Sequence, residues 1–349
     1  MVVNMEASRF SHDAAAGSAL PLRRAPWQRA ERRGPCVTIG LVNNMAGAAF
    51  RATERQFVSL LDAASEGIPI QVSFYTLPGL SFTESGGERF VSHYAGIDAL
   101  LSTRLDGIIV TGREPKMADL RDEPYWESFT QVLEWARSNT YSALWSCLAA
   151  HAAILHMDGI GRRKSDEKNF GVFECEQVSD HPLMEGLPPR FHVPHSRWNG
   201  VAQEDLTGAG YQVLSRIASD GVDIFVKQER SLFVFFQGHL EYESDTLMRE
   251  YRRDVGRYIR GEAKAYPLLP QGYFASSTEK ALTLLRDSAS SIRSKSEMLH
   301  SIAAALDSAK IENTWQRSAS RIYRNWLQGI WAQKHAGQHR AVTSMSLSR

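Results

Sequence analysis

The alternation of apolar and polar positions predicts an α/β chain. Compact apolar runs at Cys36–Val42, Ile70–Leu77, Leu105–Gly112 and Ser142–Ser146 suit buried strands. Between them, Thr53–Ala64 puts Phe57, Leu60 and Leu61 on one helical face, with Thr53 as an expected cap, and Trp126–Arg137 is an amphipathic helix. From Leu148 the chain turns Ala-rich and helical. Strands and helices alternating at this spacing predict a parallel sheet. The second half differs. Gly171–Glu176, Tyr211–Ile217, Val222–Gln228 and Leu232–Phe236 read as strands joined by turns, hence antiparallel additions. Glu243–Arg260 reads as a charged amphipathic helix. A broken helical pattern fills 276–309, and Trp315–Ala332 forms a last helix with an apolar stripe through Trp326, Leu327 and Trp331. That stripe suits packing onto the body, with a homodimer contact as the sharper alternative. Pro78–Glu88 reads as a loop.

Composition changes this picture little. The chain has 349 residues, 43% hydrophobic and 23% charged, enough for a sizeable core in one large or two modest domains. We expect a flexible arm at 1–34, a folded domain at 35–333 with a helical insertion near 276–312, and a disordered tail at 334–349. A net charge of +1 gives no electrostatic reason to expect nucleic acid or acidic membranes as partners. No apolar run is long enough for a membrane span, and the first residues lack a secretory pattern. The three cysteines, Cys36, Cys147 and Cys175, are scattered and odd in number, which suits a reducing compartment, the cytoplasm, rather than a disulfide framework.

Candidate chemistry begins at Cys147. It stands at a strand-to-helix changeover, where a side chain clears the sheet and the free N–H groups and positive end of the helix favour a thiolate. Backbone N–H groups at Leu148 and near Gly112 would face an oxyanion there, forming the expected oxyanion hole. Read alone, the stretch favours an inert buried thiol at Cys147. Context favours the nucleophile. Sites in parallel sheets lie outside the carboxyl ends of strands, where Gly112 and Cys147 both fall. The most apolar run in the chain ends at Gly238-His-Leu-Glu241, and in an extended segment His239 and Glu241 share a face. Cysteine, histidine and glutamate are the set needed for covalent acyl transfer: a thiolate attacks an acyl carbon, an imidazole moves the proton, and a carboxylate orients it.

Several blocks carry a specific resemblance: Leu105-Asp-Gly-Ile-Ile-Val-Thr-Gly112, Tyr125-Trp126, Glu167-Lys-Asn-Phe-Gly-Val-Phe-Glu174, Pro194-His-Ser-Arg197, Gly238-His-Leu-Glu-Tyr242, Arg249-Glu-Tyr-Arg-Arg-Asp254 and Asn325-Trp-Leu327. In this order, from about Val37 to about Trp331, they resemble the homoserine O-acyltransferases of the succinyltransferase type, enzymes of methionine synthesis. The resemblance implies a class I glutamine-amidotransferase-like, flavodoxin-like fold: a mostly parallel sheet with antiparallel additions and extra C-terminal helices. It implies succinyl-CoA or acetyl-CoA as co-substrate, with no permanently bound cofactor and no metal. Residue by residue, it makes Cys147 the nucleophile, His239 the base and Glu241 its partner. Lys168, Ser196 and Arg253 become substrate-binding residues, and Lys116 stands at the position tied to acyl choice. His192 and His195 are expected to be structural.

The chain departs from the family pattern at several points. Cys147-Leu-Ala-Ala-His151 replaces the usual Cys-Trp-x-x-Gln, Leu240 replaces a proline, and Asn43-Asn-Met-Ala-Gly-Ala48 replaces a lysine-bearing loop. Arg113-Glu114 replaces Ala-Pro after Gly112. Lys116 is neither the glycine nor the glutamate usual there, so succinyl and acetyl donors both stay open, as do homoserine and a relative such as serine. Two other classes remain as alternatives: a glutamine-amidotransferase-like hydrolase, which the Cys…His-x-Glu order permits, and a non-catalytic regulatory relative.

Overall fold

The structure, a computed structural model, describes residues 3–5, 35–78, 93–217, 221–287 and 295–346. Residues 6–34, and so most of the expected arm, lie outside the described residues, as do residues 79–92, which hold nearly all of the loop read at Pro78–Glu88.

Among the described residues, eleven strands form one mixed sheet. They are β1 (Val3–Met5), β2 (Val37–Val42), β3 (Ile70–Tyr75), β4 (Tyr94–Ala95), β5 (Gly107–Thr111), β6 (Ser142–Ser146), β7 (Arg163–Gln177), β8 (Arg190–Gly200), β9 (Gln212–Ile217), β10 (Gly221–Gln228) and β11 (Leu232–Phe236). Their order is β1-β3-β2-β5-β6-β11-β10-β9-β7-β8, with β4 also on β3. Pairings from β1 across to β11 are parallel, and those from β11 to β8 are antiparallel. The parallel half and its antiparallel additions are therefore those expected from the sequence.

The register decides where chemistry can happen. Thr111 of β5, Ser146 of β6 and Phe236 of β11 lie in one row across the sheet. The next residues of all three strands emerge at the same edge.

Helices α1 (Ala48–Ala64), α2 (Ile97–Leu101), α3 (Trp126–Asn139), α4 (Leu148–Asp158), α5 (Gln203–Gly208), α6 (Thr246–Arg260), α7 (Ser276–Asp287), α8 (Lys295–Asp307) and α9 (Gln316–Ser346) complete the described fold. One face of the sheet buries Phe57 and Leu61 of α1 with Ile322, Tyr323, Trp326, Leu327 and Ile330 of α9. The opposite face buries Phe129 and Leu133 of α3 with Ala149, Ala153 and Ile154 of α4. A third cluster joins Phe170 and Val172 of β7 to Tyr251 and Val255 of α6, Leu282 of α7, Ile302 of α8 and Trp315. The insertion thus packs beside α6. Among the described residues no helix is long and apolar enough to cross a membrane.

Four elements differ from the sequence reading. Helix α1 starts at Ala48, before Thr53, because Gly47 takes a positive φ of 58° and turns the chain early; Thr53 is buried inside the helix. Strand β8 went unread because Pro194 and its polar neighbours argue against a strand. It lies at the end of the sheet, paired only with β7, and an edge strand tolerates a missing N–H. The supposed arm contributes β1, since the outer edge of β3 offers unpaired backbone to an extended segment. Finally, α9 runs on to Ser346 instead of giving way to a disordered tail at residue 334. Ala332-Gln-Lys-His-Ala336 contains no helix breaker, and Lys334 is tied to Cys36 O at 2.8 Å and Asp106 Oδ2 at 2.6 Å.

Helix α9 is an integral part of the core, since its apolar stripe is buried against the chain's own sheet. Trp326 is 3% exposed and donates from Nε1 to Ser142 Oγ at 2.8 Å, under the strand that leads to Cys147. Trp326→Ala should lower stability by about 3–5 kcal/mol, read as a drop in the urea midpoint at unchanged slope.

Candidate active site

Cys147 has φ 53° and ψ −114°, a left-handed backbone that a non-glycine residue adopts only when its surroundings enforce it. The enforcement is visible on both sides. Its N–H donates to Phe236 O at 2.7 Å, and its carbonyl accepts from Ala150 N at 3.0 Å, opening α4. The sharp turn lifts the thiol off the end of β6 and leaves it half-buried.

Gly112 lies against the start of α4. A β-carbon on it would stand 2.7 Å from Leu148 N and 3.0 Å from Ala149 N, so any side chain there would block the helix N-terminus. The structure corrects one detail of the expected oxyanion hole. The N–H of Gly112 is engaged by Ser146 O at 3.1 Å, extending the sheet ladder. Gly112 contributes close approach, and the donor beside it is the N–H of Leu148. A narrow crevice there is lined by Asn44, Thr111, Gly112, Arg113, Tyr125 and Leu148, among others.

His239 follows the end of β11. Its Nδ1 lies 2.8 Å from Oε1 of Glu241, which is 7% exposed. The expectation of an extended His239–Glu241 segment does not hold: the chain turns here, with Tyr242 N donating to His239 O at 3.2 Å. The turn curls the carboxylate back onto the imidazole. The Tyr242 ring stacks on His239 with centroids 4.3 Å apart and planes 16° apart. Burial alone would pull the His239 pKa down. The nearby Cys147 and Glu241 together outweigh it and hold the pKa well above the ordinary histidine range. Cys147, His239 and Glu241 thus stand together: the carboxylate is hydrogen-bonded to the imidazole and the thiol is near enough to raise its pKa, a set that can share a proton and support an imidazolium.

The expected substrate-binding residues gather against α6. Ser196 Oγ donates to Glu250 Oε2 at 2.6 Å, and Tyr242 OH donates to Glu250 Oε1 at 2.5 Å. Lys168 Nζ lies 3.7 Å from Asp254 Oδ2 and 4.2 Å from the centroid of the Phe170 ring. Arg253 Nε donates to Asp254 Oδ1 at 2.8 Å, with about half of the side chain exposed. Glu250, Arg253 and Asp254 are three and four positions apart on one helix, so they share a face. Glu250 and Asp254 were missed in the sequence, although that spacing was the available signal.

Lys116 is the residue the structure does not bring in. Its side chain is exposed on the segment after Gly112. What is anchored is the backbone: Lys116 N and Met117 N donate to Glu123 Oε1 at 2.5 and 2.7 Å, and Glu123 is 3% exposed.

The chain is similar to known proteins over most of its length. The family described as homoserine O-succinyltransferase (HTS) matches residues 23–336. A homoserine O-succinyltransferase of Rhodopseudomonas palustris is 45% identical over 304 residues, covering 87% of this chain and 90% of its own. That of Bradyrhizobium japonicum is 40% identical over 294 residues, covering 83% and 89%. That of Methylorubrum extorquens is 39% identical over 327 residues, covering 93% and 94%. Among solved structures, a glutamine amidotransferase from Methylobacillus flagellatus aligns with a TM-score of 0.46 at 17% identity, covering 84% of this chain and 94% of its own. The match across nearly the whole folded chain, together with the relatives' identities, shows that this protein belongs to the homoserine O-succinyltransferase family.

Proposed function

We propose that the protein is a homoserine O-acyltransferase that moves a succinyl group from succinyl-CoA to the hydroxyl of L-homoserine through a thioester on Cys147. The observation that carries this reading is the Cys147–His239–Glu241 chain at coincident strand ends, with Lys168, Ser196 and Arg253 collected on the adjoining face of α6. The named relatives favour succinyl over acetyl as the donor group, and a cytoplasmic setting suits both substrates.

The steps follow from the geometry. Cys147 gives its proton to His239 and its sulfur attacks the thioester carbon of acyl-CoA. The carbonyl oxygen gains the charge and meets the N–H of Leu148. The tetrahedral species collapses, the bond to the CoA sulfur breaks, and His239 returns the proton to the departing thiolate. The acceptor then enters. Its hydroxyl loses a proton to His239 while its oxygen attacks the acyl-Cys147 carbon, and the cysteine leaves as thiolate, regaining the proton from the imidazolium. Glu241 holds the imidazole by Nδ1 throughout and stabilises its charged form. Arg253 grips the acceptor carboxylate, with Lys168 and Ser196 completing the amino-acid pocket.

Cys147→Ala should abolish transfer and the covalent acyl adduct, read by intact-protein mass spectrometry after incubation with succinyl-CoA. An acyl group on Cys36 or Cys175 instead would overturn the assignment. In the same variant the His239 titration midpoint should fall, because Cys147 is one of the two neighbours that raise it; proton NMR of the imidazole checks this.

His239→Ala should lower kcat by about a hundredfold to ten-thousandfold. Glu241→Gln should lower it less, since that side chain orients the base without moving a proton. Steady-state assays of CoA release at neutral pH give both numbers, and near-normal turnover of His239→Ala would remove it from the mechanism.

Arg253→Lys separates the half-reactions. A lysine cannot reproduce the two parallel hydrogen bonds of a guanidinium on a carboxylate. Losing a charge-assisted bond of about 1.5–3 kcal/mol should raise the KM for homoserine by about tenfold or more. Acyl loading from succinyl-CoA, measured by rapid quench, should stay near wild type. Slow loading with unchanged homoserine KM would place Arg253 on the donor side.

A further inference from the structure

Beneath the turn that carries His239 lies a polar cluster with almost no access to solvent. Cys175, His195, Ser215 and Asp223 are each 0% exposed, and Arg197 is 5% exposed. Arg197 Nε donates to His195 Nδ1 at 3.2 Å. That bond makes Nδ1 an acceptor and puts the imidazole proton on Nε2. Nε2 lies 3.3 Å from Asp223 Oδ1, close but without the alignment of a full hydrogen bond. Ser215 Oγ donates to Asp223 Oδ2 at 3.1 Å.

The charges in this cluster close on themselves. Burial drives His195 toward its neutral form against the pull of Asp223. Burial, then the nearby Asp223 carboxylate, push the Cys175 thiol far up, so it stays protonated. One guanidinium and one carboxylate remain, bridged by a neutral imidazole. Ligand atoms of Cys175, His195 and Asp223 lie within 4.8 Å of one another, a spacing that would suit a metal ion. The balanced charge gives the cluster no electrostatic need for one.

The cluster does touch the catalytic turn at each residue. Gln237 N donates to Asp223 O at 3.0 Å, Gly238 N to Asp223 Oδ1 at 3.3 Å, and His239 N to Pro194 O at 2.8 Å. Gly238 rests on the His195 ring: a β-carbon there would stand 2.9 Å from both Cε1 and Nε2, and 2.4 Å from Val193 Cγ1. On the other side, Arg197 acts on His151, one helical turn after Cys147. His151 is 4% exposed, and burial, with Arg197 next, lowers its pKa to about 3. The same guanidinium is therefore near enough to the nucleophile's helix to disfavour a charged His151.

Strand alternation explains how one short segment serves two purposes. Val193, His195 and Arg197 face the turn, while Ser196 faces Glu250 on α6. We propose that His195, clamped between Arg197 and Asp223, is a positioning residue for the base, its ring forming the floor that sets where His239 stands relative to Cys147. This rests on the assignment of His239 as the base. The motif Pro194-His-Ser-Arg197 then has two functional faces, acceptor binding through Ser196 and base placement through His195 and Arg197.

The test uses purified full-length protein with His195→Gln, Arg197→Lys and Gly238→Ala, and His239→Ala as a control. For each, kcat per alkylatable Cys147, the KM for homoserine, the rate of Cys147 alkylation by iodoacetamide and the melting temperature are measured. His195→Gln and Gly238→Ala should lower kcat by about tenfold to a hundredfold, the loss expected for a displacement of about an ångström. They should slow alkylation in parallel and leave the KM for homoserine within about twofold. Arg197→Lys keeps the charge balance and should fold, with the same signature at smaller amplitude. If His195→Gln does not fold, Gly238→Ala and Arg197→Lys decide. Turnover within twofold of wild type in the folded variants would overturn the proposal, as would equal changes in kcat and KM. Failure of all three to fold, or a stoichiometric metal ion in the wild-type protein, would overturn it as well. An active His239→Ala would instead show that the base assignment is wrong.

Discussion

The backbone turn at Cys147 is the constraint on which the site depends. A residue with a β-carbon holds a positive φ there because hydrogen bonds fix it from both directions, Phe236 O on its N–H and Ala150 N on its carbonyl. The first comes from β11, the strand that delivers His239; the second belongs to the helix whose N-terminus faces the reacting oxygen. In the proposed mechanism, nucleophile, base and oxyanion donor are therefore set by one local geometry. It works because β6 lies between β5 and β11 with Thr111, Ser146 and Phe236 in a single row. A one-residue slip in either pairing would carry Gly112 or His239 out of reach and reverse the face each side chain takes.

Around this centre the antiparallel half supplies what the parallel half lacks. Strand β8 and helix α6 bring Ser196, Glu250, Arg253 and Asp254 to one side of the base. Tyr242 joins the two regions, its ring on His239 and its hydroxyl on Glu250. The proposed acceptor pocket and the proposed base therefore share a wall. Burial raises the Tyr242 pKa, and the Glu250 carboxylate raises it further, so the phenol stays a donor. The wall is braced from behind as well, where Trp315 Nε1 donates to Tyr242 O at 2.9 Å.

The C-terminal third has a comparable task at longer range. Segment Gln271 adds to β7 so closely that Gly171 admits no β-carbon, with Gln271 O accepting from Val172 N at 2.8 Å. Helices α7 and α8 then bury Leu282, Met298, Ile302 and Leu306 beside α6. Helix α9 crosses the far face of the sheet, and Trp326 reaches Ser142 at the start of β6. These contacts hold in place the two elements, α6 and β6, that carry the chemistry.

Much of this was legible in the chain itself. Apolar runs of strand length separated by helical spacing specify a parallel sheet, since only burial on both faces makes such runs favourable. A cysteine at a strand-to-helix changeover and a His-x-Glu at the end of the most apolar run marked the catalytic set, because both signals are local. Strand β8 was not legible. Its proline and charged residues violate strand patterning, and only its place at the sheet edge and over a buried ionic cluster makes them tolerable. The same holds for His195: nothing in Pro194-His-Ser-Arg197 reveals that Asp223 and Gly238 will close on it, for those residues come from β10 and from the turn after β11. Nor could the sequence show that the N–H of Gly112 is engaged by Ser146, or that His239 and Glu241 meet across a turn. Pattern is set by neighbours along the chain, whereas hydrogen-bond partners at a buried site are set by register between strands, which only the folded sheet decides.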